Sequence, residues 1–155
     1  MSQHNIKVSK KQIANAILMP EIIKMINEGH TITLPLRGYS MRPFLEDGRD
    51  KVLLTAVNSI KKGDAVLAEV SEGHYVLHRI IAINGDNITL RGDGNIANEH
   101  CKRDDIKAFA AGFYRKGRAT ADSTSGRKWR IYSYIWTKLY PIRRYLLFIY
   151  RHLFV

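Results

Sequence analysis

Gly38-Tyr39-Ser40-Met41-Arg42-Pro43 sets a serine between a glycine and a Met-X-Pro turn. It directly follows residues 31–37, where Ile32, Leu34 and Leu36 alternate onto one face. Gly38 can take backbone angles that other residues avoid. Pro43 fixes its own φ and biases Arg42 away from helix. Such a turn holds a hydroxyl rigidly at the end of a strand. A serine beside Gly and Pro is most often a plain turn residue, so the rest of the chain decides what this one is for.

Outward from this turn the chain reads as strand. Residues 50–57, 64–70, 74–84, 87–91 and 106–114 are rich in β-branched and apolar side chains. Lys62-Gly63-Asp64 and Asn84-Gly85-Asp86-Asn87 are turn signals between them. Short strands with such turns predict a mainly β fold, a coiled antiparallel sheet or partly open barrel. Before it, Ile13, Ile17, Ile22, Met25 and Ile26 suggest two short amphipathic helical pieces around Pro20. Ser9-Lys10-Lys11-Gln12 reads as a capping box and Gly29 as a C-cap. The expected division is a helical leader over 1–30, a core over 31–114, a flexible linker over 115–128 and a basic-aromatic helical tail over 129–155.

Two further segments carry chemistry. In Tyr75-Val76-Leu77-His78-Arg79-Ile80-Ile81 the period of two puts Val76, His78 and Ile80 on one face. A lone histidine there is commonly a satisfied core residue. Arg91-Gly92-Asp93-Gly94-Asn95 has the composition of a simple turn. Together Ser40, His78 and Asp93 supply the residue types of nucleophilic acyl transfer. A serine needs a neighbouring base to take its proton. Histidine holds that proton near neutrality and passes it to a leaving amine. A carboxylate behind the ring fixes its tautomer.

The ordered set GYSMRPFLEDGRDKVLL, KKGDAVLAEV, YVLHRIIAI and ITLRGDGN resembles the signal-peptidase and LexA-type serine peptidase superfamily over residues 31–113. The resemblance implies a signal-peptidase-like fold and a serine endopeptidase, with Ser40 as nucleophile. His78 before Arg79 is similar to the endoplasmic-reticulum and archaeal type, where histidine replaces the lysine base. That type implies a supporting role for Asp93 and a second acid a few residues on, for which Glu99 is the nearest residue. Gly38 stands where membrane signal peptidases often carry an oxyanion-binding serine. The oxyanion would then rest on backbone N–H groups of the turn, including that of Ser40, with Gly38, Met41 and Pro43 (which has no N–H of its own) shaping it. Two other readings stay open: a catalytically silent peptide-binding or adaptor module, and a LexA-like self-cleaving regulator. The short leader, with no room for a helix-turn-helix, weakens the latter.

Composition bounds the partners. The formal charge is +11, and residues 127–155 hold seven Lys/Arg and no acid. Nine of the 15 aromatic residues sit there too, from Trp129 to Phe154. No run is long enough to span a bilayer, and Pro141 interrupts the segment. Basic and aromatic side chains together suit an anionic membrane surface, ahead of docking on protein, with nucleic acid least expected. Besides that surface, the expected partner is a peptide or protein substrate. One cysteine, Cys101, permits no internal disulfide, and the six histidines lack metal-ligand spacing. No metal and no cofactor is expected. The polar start of the chain is no secretory leader, so the expected location is cytoplasmic, with the tail as the membrane-seeking part.

Overall fold

A computed structural model describes the backbone of residues 10–155, with side chains from residue 17 onward. Its centre is an eight-stranded antiparallel sheet. The strands are β1 (Ile32–Pro35), β2 (Lys51–Thr55), β3 (Ala65–Ser71), β4 (His74–Asn84), β5 (Asn87–Arg91), β6 (Glu99–Lys102), β7 (Ile106–Tyr114) and the short β8 (Asp122–Ser123). They lie in the order β1-β2-β7-β3-β4-β5-β6, with β8 against β7. The sheet does not close: β1 and β6 are its edges.

Alternation sends side chains to two separate cores. Val52, Leu54, Ala65, Leu67, Ala108, Ala110 and Phe113 pack on one face with Met41, Phe44, Leu45 and Trp129. Val66, Ala68, Ile80, Ile88, Leu90 and Ile106 pack on the other. Irregular register at Leu53/Leu54, Leu67/Ala68 and Ile80/Ala82 marks where the strands bend.

The leader differs from its reading. One helix, α1 (Lys10–Asn27), runs through Pro20 rather than splitting there. Its Met19, Ile22 and Ile26 are buried against the first core, and that packing outweighs the local penalty of proline. Gly29, at φ 98°, ends the helix, with the His30 amide reaching back to the Met25 carbonyl at 3.1 Å. The capping box expected at Ser9–Gln12 begins outside the described residues.

The end of the chain also differs. Residues 115–128 were expected to form a flexible linker. Instead they carry β8, and the Thr124 hydroxyl donates to the Ala110 carbonyl at 2.8 Å. Helix α2 (Arg127–Lys138), a 3₁₀ turn (Tyr140–Ile142) and helix α3 (Arg143–Phe154) follow. They are docked on the core. Trp129, Trp136, Arg143 and Leu147 are all buried. No helix among the described residues is long and apolar enough to cross a membrane.

Candidate active site

The serine turn is built as a rigid loop. Met41, Phe44 and Leu45 are buried in the first core and anchor it from below. Gly38, at φ 83°, donates its N–H to the Asp47 carboxylate at 2.6 Å. Buried Asp50 accepts from the Glu46 amide at 2.9 Å and from the Lys116 amide at 3.0 Å, tying the loop to the end of β7. The Arg42–Pro43 peptide is cis. Ser40 sits half-buried at the rim, and among the described residues its amide has no hydrogen-bond partner.

The loop after β5 lies directly on this turn. The Gly94 amide donates to the Ser40 carbonyl at 2.7 Å. A Cβ on Gly92 would collide with that same carbonyl and lie 3.0 Å from His78 Nε2. A Cβ on Gly94 would collide with the Tyr39 carbonyl. Both positions need glycine because two backbones approach closely there. Gly92 thus fills the space between the Ser40 main chain and the His78 ring.

The two acids are distributed differently from the sequence expectation. His78 and Arg79 are both buried on β4, and a strand sends neighbouring side chains to opposite faces. His78 Nδ1 lies 2.7 Å from the Glu99 carboxylate, a short contact off the ideal hydrogen-bond line. Strand β6 brings Glu99 there by pairing it with Leu90. Asp93, expected behind the ring, instead takes Arg79 in a bidentate pair at 2.8 and 2.7 Å. Its Oδ2 also accepts from the Tyr132 hydroxyl at 2.7 Å, and its carbonyl from Trp136 Nε1 at 2.9 Å. Burial lowers the His78 pKa from the ordinary imidazole value, and Glu99 offsets part of that shift. The ring is therefore neutral at pH 7. A neutral ring that turns its Nδ1–H toward Glu99 leaves the lone pair on Nε2.

Ser40 and His78 line one cavity of about 120 Å³, with Leu36, Met41, Leu45 and Leu77 supplying apolar wall. Among the described residues no hydrogen bond joins the Ser40 hydroxyl to the ring. One rim is the chain after β1, from Leu36 to Gly38, and the other is the start of β4. Residues 74–78 pair with β3 alone, because β5 begins its pairing at Arg79. The cavity therefore opens beside a stretch of β4 that is paired on one edge only.

Sequence reasoning missed the tail's share in this site. Tyr132, Ser133 and Trp136 lie on one side of α2 at helical spacing and hold Asp93 and Arg79 from behind. Arg79 donates to Ser133 Oγ at 2.6 Å, and its guanidinium sits 4.7 Å from the Trp129 ring centre. Burial works against the Arg79 charge, but Asp93 more than compensates and the pKa is raised. Burial, and then Asp93, raise the Tyr132 pKa well above the usual phenol value, so it remains a donor. From α3, Tyr150 donates to Glu46 at 3.2 Å, and Glu46 pairs with Arg42 beside the serine. The repeat at 129, 132, 133 and 136 was the signal for this inner face.

No protein-family model matches the chain, and no curated protein matches it.

Proposed function

We propose that this protein is a serine endopeptidase of signal-peptidase-like fold, cutting an extended peptide by a Ser/His mechanism. The observation that carries the reading is the shared cavity: Ser40 and His78, far apart in sequence, line it together, and a carboxylate stands at the far nitrogen of the ring. In this mechanism Ser40 Oγ attacks the scissile carbonyl while His78 Nε2 takes its proton. The imidazolium, supported by Glu99, then protonates the leaving amine, and water releases the acyl group by the same route. The Ser40 amide, without a hydrogen-bond partner among the described residues, supplies an oxyanion donor. Substrate backbone adds to the open edge of β4 by β-augmentation. The small cavity of about 120 Å³ favours a small apolar side chain next to the cut. Asp93 serves as the anchor that fixes the loop under Ser40.

A second reading is favoured by one observation, the missing Ser40–His78 hydrogen bond: a silent module that binds peptides in the same groove. Catalytic hydrogen bonds often tighten only with substrate bound, so the distinction is experimental. The full chain is incubated with a diverse peptide mixture, and bound and newly cut peptides are both read by mass spectrometry. The peptidase reading predicts new termini that disappear in Ser40→Ala. Peptides retained but uncut by the wild type would establish the silent module instead.

A further inference from the structure

Helices α2 and α3 each carry two apolar stripes on opposite sides. The inner stripe of α2 contains Trp129, Tyr132 and Trp136, and that of α3 contains Leu147 and the half-buried Leu146 and Tyr150. These meet the core and the candidate site. The outer stripe of α2 is Ile131, Tyr134 and Ile135, each more than half exposed. That of α3 is Tyr145, Phe148, Ile149 and Leu153, equally exposed. A helix lying on a globular core normally shows solvent a polar face. These two present large apolar and aromatic groups, a pattern that marks an interaction surface.

Charge names the partner. Of the seven Lys/Arg in residues 127–155 only Arg143 is buried; Arg127, Lys128, Arg130, Lys138, Arg144 and Arg151 are exposed. Lys128 is bridged to Asp122 at 3.0 Å. No acid lies in this segment. A second copy would bring the same positive field and repel. We propose that the outer faces of α2 and α3 form a peripheral docking surface for an anionic phospholipid bilayer, with rings at headgroup depth and cations among the lipid phosphates. The inner faces stay on the core, so the protein lands as a folded unit rather than releasing its tail. This surface stands apart from the peptidase reading and is tested without it.

The test is co-sedimentation of the full chain with vesicles of equimolar phosphatidylglycerol and phosphatidylcholine, against pure phosphatidylcholine. Binding is expected to the anionic vesicles, and salt should weaken it in part, since screening spares the buried rings. The double variant Arg144→Ser/Arg151→Ser should bind roughly 25-fold more weakly, from about fivefold per cation near the surface. Phe148→Ser/Ile149→Ser, on exposed positions that spare the fold, should also weaken binding to the anionic vesicles. Emission of Trp129 and Trp136 should not shift on binding, because both remain inside. Equal sedimentation of wild type and variants, or equal binding to both lipids, overturns the proposal. So does a wild-type dimer in solution that the Phe148→Ser/Ile149→Ser variant dissolves, which assigns the face to a second copy. Preferential capture by polyglutamate over anionic vesicles would assign it to an acidic polypeptide.

Discussion

Asp93→Asn and Glu99→Gln should fail in opposite ways. Asp93 is 1 % exposed and carries two bonds from Arg79 and one from Tyr132. Asparagine removes the charge and turns an amide donor toward donors. The Arg79 guanidinium, itself 1 % exposed, is left uncompensated. Breaking one partner of a buried pair costs about 3–5 kcal/mol. For a chain of this size each kcal/mol lowers Tm by about 2–4 °C, so the melt should drop by about 6–20 °C. Glu99 has a side chain 34 % exposed, and its amide should change stability by less than about 1 kcal/mol. Glu99→Gln should instead silence cleavage. It should also lower the His78 pKa further, because the carboxylate is what opposes the burial shift. Thermal melts and ring-proton NMR titration read both effects. The distribution of acids is refuted if Asp93→Asn melts like the wild type but moves the His78 titration while Glu99→Gln leaves it unchanged.

Three further outcomes follow from the geometry. Gly92→Ala puts a methyl group against the Ser40 carbonyl and His78 Nε2, and should cost about 1–3 kcal/mol with loss of cleavage; unchanged melt and turnover would contradict the close approach. Trp129→Ala empties the space between Phe44 and Phe113, whose rings lie 5.1 and 5.0 Å away, and should cost about 3–5 kcal/mol in denaturant titration; a loss below about 1 kcal/mol would mean that the tail is not part of the core. His78 has a folded pKa below its ordinary 6.5, so the unfolded chain takes that proton first as pH falls. Its contribution is intact above about pH 6.5 and is lost below it, by at most about 1.4 kcal/mol per pH unit. Wild-type and His78→Gln stability curves should therefore converge or cross as pH drops, and parallel curves would refute the buried neutral ring.

Much of the sheet was legible because its strands are β-branched and bounded by glycine turns. β4 and β5 were read with their observed bounds, and β7 likewise. β6 was not, since Glu99-His100-Cys101-Lys102 has neither β-propensity nor an apolar face; only its pairing with β5 makes it a strand. That strand delivers Glu99 to His78, so the ring's partner was visible only as a loose candidate. Asp93 was misplaced for a related reason. A linear motif does not say which of two neighbouring residues, on opposite faces, its carboxylate meets. The tail was read from composition, which is the same for a docked and an undocked helix. Its two-sided apolar pattern is what distinguishes them, since the inner stripe at 129, 132 and 136 spends its aromatics on the core.

The central claim is covalent attack by Ser40 with His78 as base. A short peptide ester, whose leaving group departs readily, lets acylation outrun deacylation. Intact-mass spectrometry of the full chain should then show one acyl group, mapping to the fragment that contains Ser40. It should be absent in Ser40→Ala and His78→Ala variants that melt like the wild type. An acyl group on another residue, equal labelling of Ser40→Ala, or no labelling of a wild type that binds the ester would contradict the account.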